Sequence, residues 1–300
     1  MADLRFDGRV AIVTGAGHGL GREHALDLAA RGAKVVVNDL GGAVDGTGTS
    51  SGPASDVAEQ IRKNGGTAVP SCDNVAIADG AEAIVKTAIS EFGRVDAVIN
   101  NAGILRDKTF MKMTAEEFDA VLGVHLRGSF LVTHAAWPHL RAQGYGRVVM
   151  TSSPAGLFGS FGQANYASAK MGLVGLTKTL SLEGAKYGIK ANAIAPVAYT
   201  RMTAGLLPDE LAGRLGPEFV SPLVSYLAHE DCASSGEVYS VAGGRVARVF
   251  VAEGPGWVKK DGLTAEDVRD AWGQINAEQP SILPANAGEQ TAALLSALQG

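Results

Sequence analysis

Three hundred residues with 46% hydrophobic content suffice for one large core or two modest ones. The formal net charge of −5 is spread along the chain without any Lys/Arg cluster, which excludes a nucleic-acid binder. Cys72 and Cys232 stand in unrelated surroundings without metal-type spacing, no apolar run reaches membrane-spanning length, and the first residues hold no apolar signal core. A cytoplasmic protein with no metal and no membrane insertion is the expectation.

The first predicted strand is the apolar run Val10-Ala11-Ile12-Val13, continuous as in a strand buried on both faces. The turn Thr14-Gly15-Ala16-Gly17-His18-Gly19-Leu20-Gly21 follows, and residues 22–30 read as a helix. Strand, glycine turn and helix in this order suit a dinucleotide site. Glycines let the backbone approach a pyrophosphate, and the helix N-terminus offers free N–H groups. The next strand, 34–38, ends at Asp39, eighteen residues after Gly21. A carboxylate there accepts hydrogen bonds from ribose hydroxyls and repels a 2′-phosphate. No Arg or Lys follows it, and His18 is the sole potential cation of the turn, so NAD is favoured over NADP. Residues 41–53, rich in Gly, Ser and Thr, exceed an ordinary strand–helix loop; they either fold over the adenosine end or form a surface loop.

Further strands are expected at 68–70, 95–99, 147–150 and 190–194, with helices at 55–64, 77–92, 115–143 and 165–187. This alternation predicts an α/β fold: one Rossmann-type, doubly wound parallel sheet with helices on both faces and the ligand at the carboxyl ends of its strands. Residues 1–245 form the expected catalytic domain. Residues 246–300, with an edge strand over 245–252 and helices over 264–277 and 285–298, form an expected C-terminal extension on the core or at a subunit interface.

Tyr166 and Lys170 are four residues apart, which on a helix puts phenol and ammonium on one face. A nearby cation stabilises the phenolate and lowers the tyrosine pKa, so that it exchanges protons with an alcohol near neutral pH. Such pairs occur on many solvated faces. Ser153, thirteen residues upstream, and the glycine turn give this one weight.

Together Thr14-Gly15…Gly19…Gly21, Asn100-Asn101-Ala102-Gly103, Ser153 and Tyr166…Lys170 resemble the short-chain dehydrogenase/reductase superfamily over roughly residues 5–245. Within it, Asn38-Asp39-Leu40-Gly41-Gly42, Asn101-Ala102-Gly103-Ile104-Leu105-Arg106-Asp107, Val124-His125-Leu126-Arg127-Gly128-Ser129-Phe130 and Gly162-Gln163-Ala164-Asn165-Tyr166 resemble the dehydrogenase domains of peroxisomal multifunctional enzymes. That resemblance implies NAD-dependent oxidation of a (3R)-hydroxyacyl-CoA thioester by a stand-alone counterpart. A hydroxysteroid or alicyclic alcohol dehydrogenase with the same residues is the alternative. Asp39 opposes an NADPH-dependent carrier-protein reductase, and the intact Ser153, Tyr166 and Lys170 oppose a non-catalytic scaffold.

The resemblance also implies the roles. Tyr166 takes the alcohol proton, Lys170 holds the phenolate and the nicotinamide ribose, and Ser153, rather than Ser152, fixes the substrate oxygen. Gly15, His18, Gly19, Leu20, Gly21, Asp39 and Leu40 hold the pyrophosphate and adenosine. Asp73, Asn74 and Val75 hold the adenine, Asn101, Ala102 and Gly103 pass beside the cofactor, and Pro196 lies near the nicotinamide. His125 stands where the superfamily has an asparagine that bends the helix and holds a water linked to the lysine. Val197 stands where a glycine is usual. Residues 200–218, with Met202, Leu206, Leu207 and Leu211, suggest an apolar lid facing Phe158, Phe161, Gln163 and Asn165. Arg106, Lys108 and Lys112 are candidate CoA contacts. A homodimer or homotetramer is implied through helices 115–143 and 165–187, with Ala164, Ala167, Ala169, Gly172 and Gly175 allowing close approach.

Overall fold

The computed structural model describes residues 3–203 and 209–299; the predicted lid residues Leu206 and Leu207 lie outside the described residues. The elements run β1 (Val10–Thr14), α1 (Gly19–Ala30), β2 (Lys34–Asn38), α2 (Gly52–Lys63), β3 (Thr67–Ser71), α3 (Ala78–Phe92) and β4 (Ala97–Asn100). Next come α4 (Ala115–Leu122), α5 (Ser129–Gln143), β5 (Gly146–Thr151), α6 (Pro154–Phe158), α7 (Ala164–Gly184), β6 (Ile189–Pro196), α8 (Ser221–Ala228), β7 (Val238–Ala242) and β8 (Arg245–Val249). They build one eight-stranded sheet in the order β3-β2-β1-β4-β5-β6-β7-β8. Pairing is parallel from β3 through β7, and β1 lies between β2 and β4. The chain therefore reverses direction across the sheet at β1 and β4, which opens a crevice beyond their carboxyl ends.

Both faces of the central strands are covered. β1, β4 and β5 have no exposed residue, so their apolar residues follow one another without alternation, and the one buried charge, Arg147 on β5, donates to the carbonyls of Gly146, Gly188 and His229. Val13, Val37 and Ile99 are fully buried in the core, each contributing on the order of 1.5–3 kcal/mol. At the amino ends of the strands, away from the crevice, buried Asp96 accepts from Arg9, Arg94 and the Val10 N–H. That carboxylate ties β1 to β4.

The helix expected over 115–143 is interrupted. Residues Gly123–Gly128 form a π-helical turn between α4 and α5, with His125 inside it. A widened turn of this kind bends a helix and redirects its carbonyls. α2 starts earlier than expected because Pro53 fits its first turn. One small residue assigned to a subunit contact serves the interior instead: Ala169 is fully buried, while Gly172 is half-buried and a Cβ on it would come 2.8 Å from Leu126 Cδ2. Gly175 meets nothing within 4 Å.

The chain divides into two compact units, Met1–Arg248 and Val249–Gly300. In the second, α9 (Ala265–Asp270) and α10 (Trp272–Ile275) replace the single helix expected over 264–277, and α11 (Ala287–Gln299) follows. Thr264 and Asp267 exchange capping hydrogen bonds at the start of α9. Among the described residues, no helix is long and apolar enough to cross a membrane.

Candidate active site

A cleft of about 600 Å³ opens at the crevice. Its lining includes Gly15, His18, Gly19, Leu20, Asp39, Leu40, Asp73, Asn74, Val75, Asn101, Ala102 and Gly103. These are the expected cofactor residues with the exception of Gly21 and the reaction-end group Tyr166, Lys170 and Pro196. Gly15 adopts φ +63°, and a Cβ there would come 2.7 Å from the Ala102 Cα. Gly21 is buried under this turn, where a Cβ would meet the Gly15 carbonyl oxygen at 2.2 Å. The first turn of α1 has no side-chain cap, so its N–H groups face the cleft mouth without an internal acceptor. Glycine turn, uncapped helix start and acidic strand end fit the pyrophosphate and ribose of a dinucleotide.

Asp39 does more than await a ribose. Its Oδ2 accepts from Gly17 N–H at 2.7 Å and its Oδ1 from Gly41 N–H at 2.7 Å. The carboxylate thus joins the glycine turn to the loop after β2, and each oxygen keeps a second lone pair for a hydroxyl. His18 loses proton affinity through burial first and then through Arg201, so it is neutral near pH 7. Arg201, 162 positions beyond Asp39 in the chain, joins the cleft lining with Thr200 and Met202. The sequence reading, which searched for cations only beside Asp39, missed it.

Asp73 is pinned by Ser71 Oγ at 2.8 Å, and Asn38 Nδ2 donates to the Asp73 carbonyl at 2.9 Å. Part of the 41–53 loop lines the cleft and is tied to the segment after β4. Its residues Gly42, Ala43, Val44 and Gly46 line the cleft, Leu105 N–H donates to the Val44 carbonyl at 2.9 Å, and Arg106 Nε donates to the Asp45 carbonyl at 3.0 Å. Arg106, a candidate for CoA, is thereby engaged in holding this loop.

Outside this lining, Tyr166 and Lys170 share one face of α7. Lys170 is buried, with Nζ 5.3 Å from the Tyr166 ring centroid and donating to the Thr151 carbonyl at 2.5 Å. Ser153 caps α6 through the Ala155 N–H at 3.2 Å, and its hydroxyl acts on the Tyr166 phenol in the direction that favours phenolate. Ser152 Oγ instead donates to the Lys170 carbonyl at 2.8 Å, fully buried, which leaves Ser153 as the serine at the phenol.

The electrostatics depart from expectation. Burial raises the Tyr166 phenol above its ordinary value, the Ser153 hydroxyl pulls it back, and Asp107 pushes it up. Burial also lowers the Lys170 ammonium to about 7. In the protein alone, desolvation outweighs the attraction between phenolate and ammonium that the four-residue spacing suggested.

His125 is buried in the π turn. Its Nε2 lies 3.0 Å from Ile104 N and 2.8 Å from Ile104 O, so either neutral tautomer bonds the Ile104 backbone. Burial and the Lys170 charge hold its pKa well below the usual histidine value. The ring meets Tyr166 edge-on at 5.1 Å, and a Cβ on Gly103 would come 2.2 Å from its Cε1. Its carbonyl accepts from Ser129 Oγ at 2.6 Å. The side chain clamps the segment after β4 beneath the tyrosine.

Of the expected substrate-wall residues, Asn165 is fully buried and cannot face a substrate, whereas Phe158, Phe161 and Gln163 stay at the surface. Phe158 and Phe161 are 76% and 91% exposed, and Gln163 donates to Asp107 at 2.7 Å. Met202 lines the cleft, Leu211 is exposed, and Pro196 ends β6 paired with Val241.

The short chain dehydrogenase family matches residues 9–210. A Mycobacterium tuberculosis short-chain type dehydrogenase/reductase, Rv0148, is 57% identical over 89% of this chain and 93% of its own length. Mouse peroxisomal multifunctional enzyme type 2 is 48% identical over 95% of this chain but only 39% of its own length. Hydroxyacyl-CoA dehydrogenase ChsB1 of Mycobacterium tuberculosis is 42% identical over 91% of both chains. Among solved structures, the full-length peroxisomal multifunctional enzyme type 2 of Drosophila melanogaster superposes with a TM-score of 0.84 at 38% identity, over 99% of this chain and 50% of that one. This chain belongs to the short chain dehydrogenase family, an oxidoreductase family, and spans less than half the length of the mouse multifunctional relative.

Proposed function

We propose that this protein oxidises a secondary alcohol with NAD, the substrate being a (3R)-hydroxyacyl-CoA or similar thioester, and that the reverse reduction uses the same groups. The observation that carries the reading is the grouping of Tyr166 and Lys170 on one face of α7, beside His125, which clamps the Ile104 backbone of a cleft lined by the glycine turn and Asp39. NAD, when bound, supplies a hydride acceptor; the chain supplies proton management and orientation. Ser153 Oγ holds the substrate oxygen against the phenol, and Tyr166 Oη takes the alcohol proton. Lys170 Nζ, anchored to the Thr151 carbonyl, stabilises the phenolate form that Tyr166 must hold before it can take that proton, and the step leaves Tyr166 as a neutral phenol. Its pKa of about 7 lets it also pass a proton onward near neutral pH. His125 acts through position, as a neutral clamp on Ile104 and an edge against the Tyr166 ring.

Asp39 supports NAD over NADP, because a 2′-phosphate would meet a carboxylate. The thioester class rests on the similarity to a hydroxyacyl-CoA dehydrogenase and to multifunctional enzymes. Homo-oligomerisation through α4, α5 and α7 belongs to the same proposal: Phe130 and Met171 on these helices are 46% and 42% exposed. Gel filtration of a monomer would count against it. The deciding assay follows NADH formation with (3R)- and (3S)-hydroxyacyl-CoA esters and with 17β-hydroxysteroids, using NAD and NADP in parallel. Turnover of (3R)-esters with NAD is expected. Turnover of steroids alone would move the substrate class to the alternative, and turnover of none would remove the substrate proposal while leaving the family intact.

A further inference from the structure

We propose that Asn165 is a positioning residue that sets the height of the Tyr166 phenol against Ser153. It precedes the tyrosine directly, in the first turn of α7, and is fully buried. Asparagine is a weak choice inside a helix, and a buried carboxamide is costly unless its groups are paired. Here three hydrogen bonds use both ends of it. Nδ2 donates to the Arg106 carbonyl at 3.0 Å and to the Glu117 carbonyl at 3.3 Å, while Oδ1 accepts the Tyr166 N–H at 2.7 Å.

The Tyr166 N–H belongs to the first turn of α7, where backbone donors lack an acceptor inside the helix. One side chain therefore captures the catalytic candidate's own backbone and bolts it to α4 and to the segment after β4. That segment is the one whose Arg106 side chain holds the 41–53 loop at the Asp45 carbonyl. The route from the adenosine end of the cleft to the phenol thus runs Asp45, Arg106, Asn165, Tyr166 through hydrogen bonds, with no other side chain between. The Tyr166 ring itself makes an edge contact with His125 at 5.1 Å, while its backbone N–H is held by Asn165.

The inference rests on Tyr166 as the proton acceptor, and its test separates the two claims. Asn165→Ala and Asn165→Asp are made in the full chain and studied with NAD bound. Tyrosine labelled at the ring carbon bearing oxygen reports Tyr166 ionisation by NMR without any need for turnover. In Asn165→Ala the titration should move upward by about one pH unit as the phenol moves away from the Ser153 hydroxyl. The kcat should fall about 10–30-fold and its pH profile shift in the same direction, while NAD affinity stays within about twofold. Asn165→Asp keeps the acceptor for Tyr166 N–H but loses both donors, so its titration should lie between Ala and wild type. An unchanged Tyr166 titration in both variants overturns the proposal, as does a loss of NAD binding in step with kcat. A wild-type protein that turns over no alcohol removes the proton-acceptor reading, while the titration difference still decides the positioning. Should neither variant fold, the Asn165 side-chain amide protons of the wild type decide: slow exchange with solvent is expected, and exchange at the free rate overturns the assignment.

Discussion

At the glycine-turn end of the cleft, one carboxylate is met by two backbone N–H groups at 2.7 Å, and the neighbouring loop is held through main-chain carbonyls. At the Tyr166 end the groups that matter are side chains brought out of water: a lysine lowered to about 7, a phenol raised by burial and a histidine kept neutral. At the first end the Asp39 carboxylate is met locally by the dipoles of two backbone N–H groups. The second has its charges depressed and awaits a reacting proton. One region is built to bind, the other to titrate, and the distance between them is bridged by Gly103, Ile104 and Arg106.

Replacing Tyr166 by Phe gives the largest separation of the two ends. The kcat should fall by about 10³-fold, while NAD affinity changes by less than about twofold. Retained turnover would take the proton transfer away from this residue.

Acidification tests the titrating side of the comparison and reaches into the binding helix as well. His24 on α1 is fully buried, with Nδ1 2.8 Å from Ser221 Oγ, Nε2 unpartnered, and a pKa lowered from 6.5 to about 3. The folded protein binds fewer protons than the unfolded chain between those values. Stability is therefore full above about 6.5 and lost as pH falls toward 3. At about pH 4.5 the loss from this histidine is on the order of 2–3 kcal/mol, and His125 acts with the same sign. Urea unfolding at the two pH values checks it. His24→Leu should shrink the difference, and a flat profile in wild type would break the account of neutral buried histidines.

Gly103→Ala probes the bridge. The added methyl would meet the His125 ring at 2.2 Å, and relief of that overlap costs roughly 1–3 kcal/mol. A lowered melting temperature with a lowered kcat is expected; wild-type values for both would show that the clamp has slack. Asp39→Ala, the mildest, should relax the preference for NAD over NADP by about 10-fold, with kcat at saturating NAD within about threefold. An unchanged preference would assign cofactor choice to Arg201 or the 41–53 loop.

Most of the sheet was legible because its signals are local. Val10–Thr14 and Lys34–Asn38 are runs of β-branched residues beside glycine turns, and such runs need no distant partner to be read. The π turn at Gly123–Gly128 was foreseen only as a bend at His125, because the period of an apolar pattern does not register one extra residue in a helical turn. Asn165 was misplaced onto the substrate wall for a related reason. Its residue type allows both an exposed polar contact and a buried junction, and only Arg106 and Glu117 arriving at its carboxamide decide between them.

By itself the chain determined the alternation of strands and helices through β6, though not α6, α8 or β7, along with the glycine turn with its acidic partner and the shared helical face of Tyr166 and Lys170, since each follows from spacing along one element. Tertiary structure decided the protonation balance of that pair, the arrival of Arg201 in the cleft, the closing of the 41–53 loop on the segment after β4, and which serine meets the phenol. The reason is that burial and long-range pairing depend on what surrounds a group in space, and desolvation of Lys170 and Tyr166 changes their proton affinities by more than their spacing alone can restore.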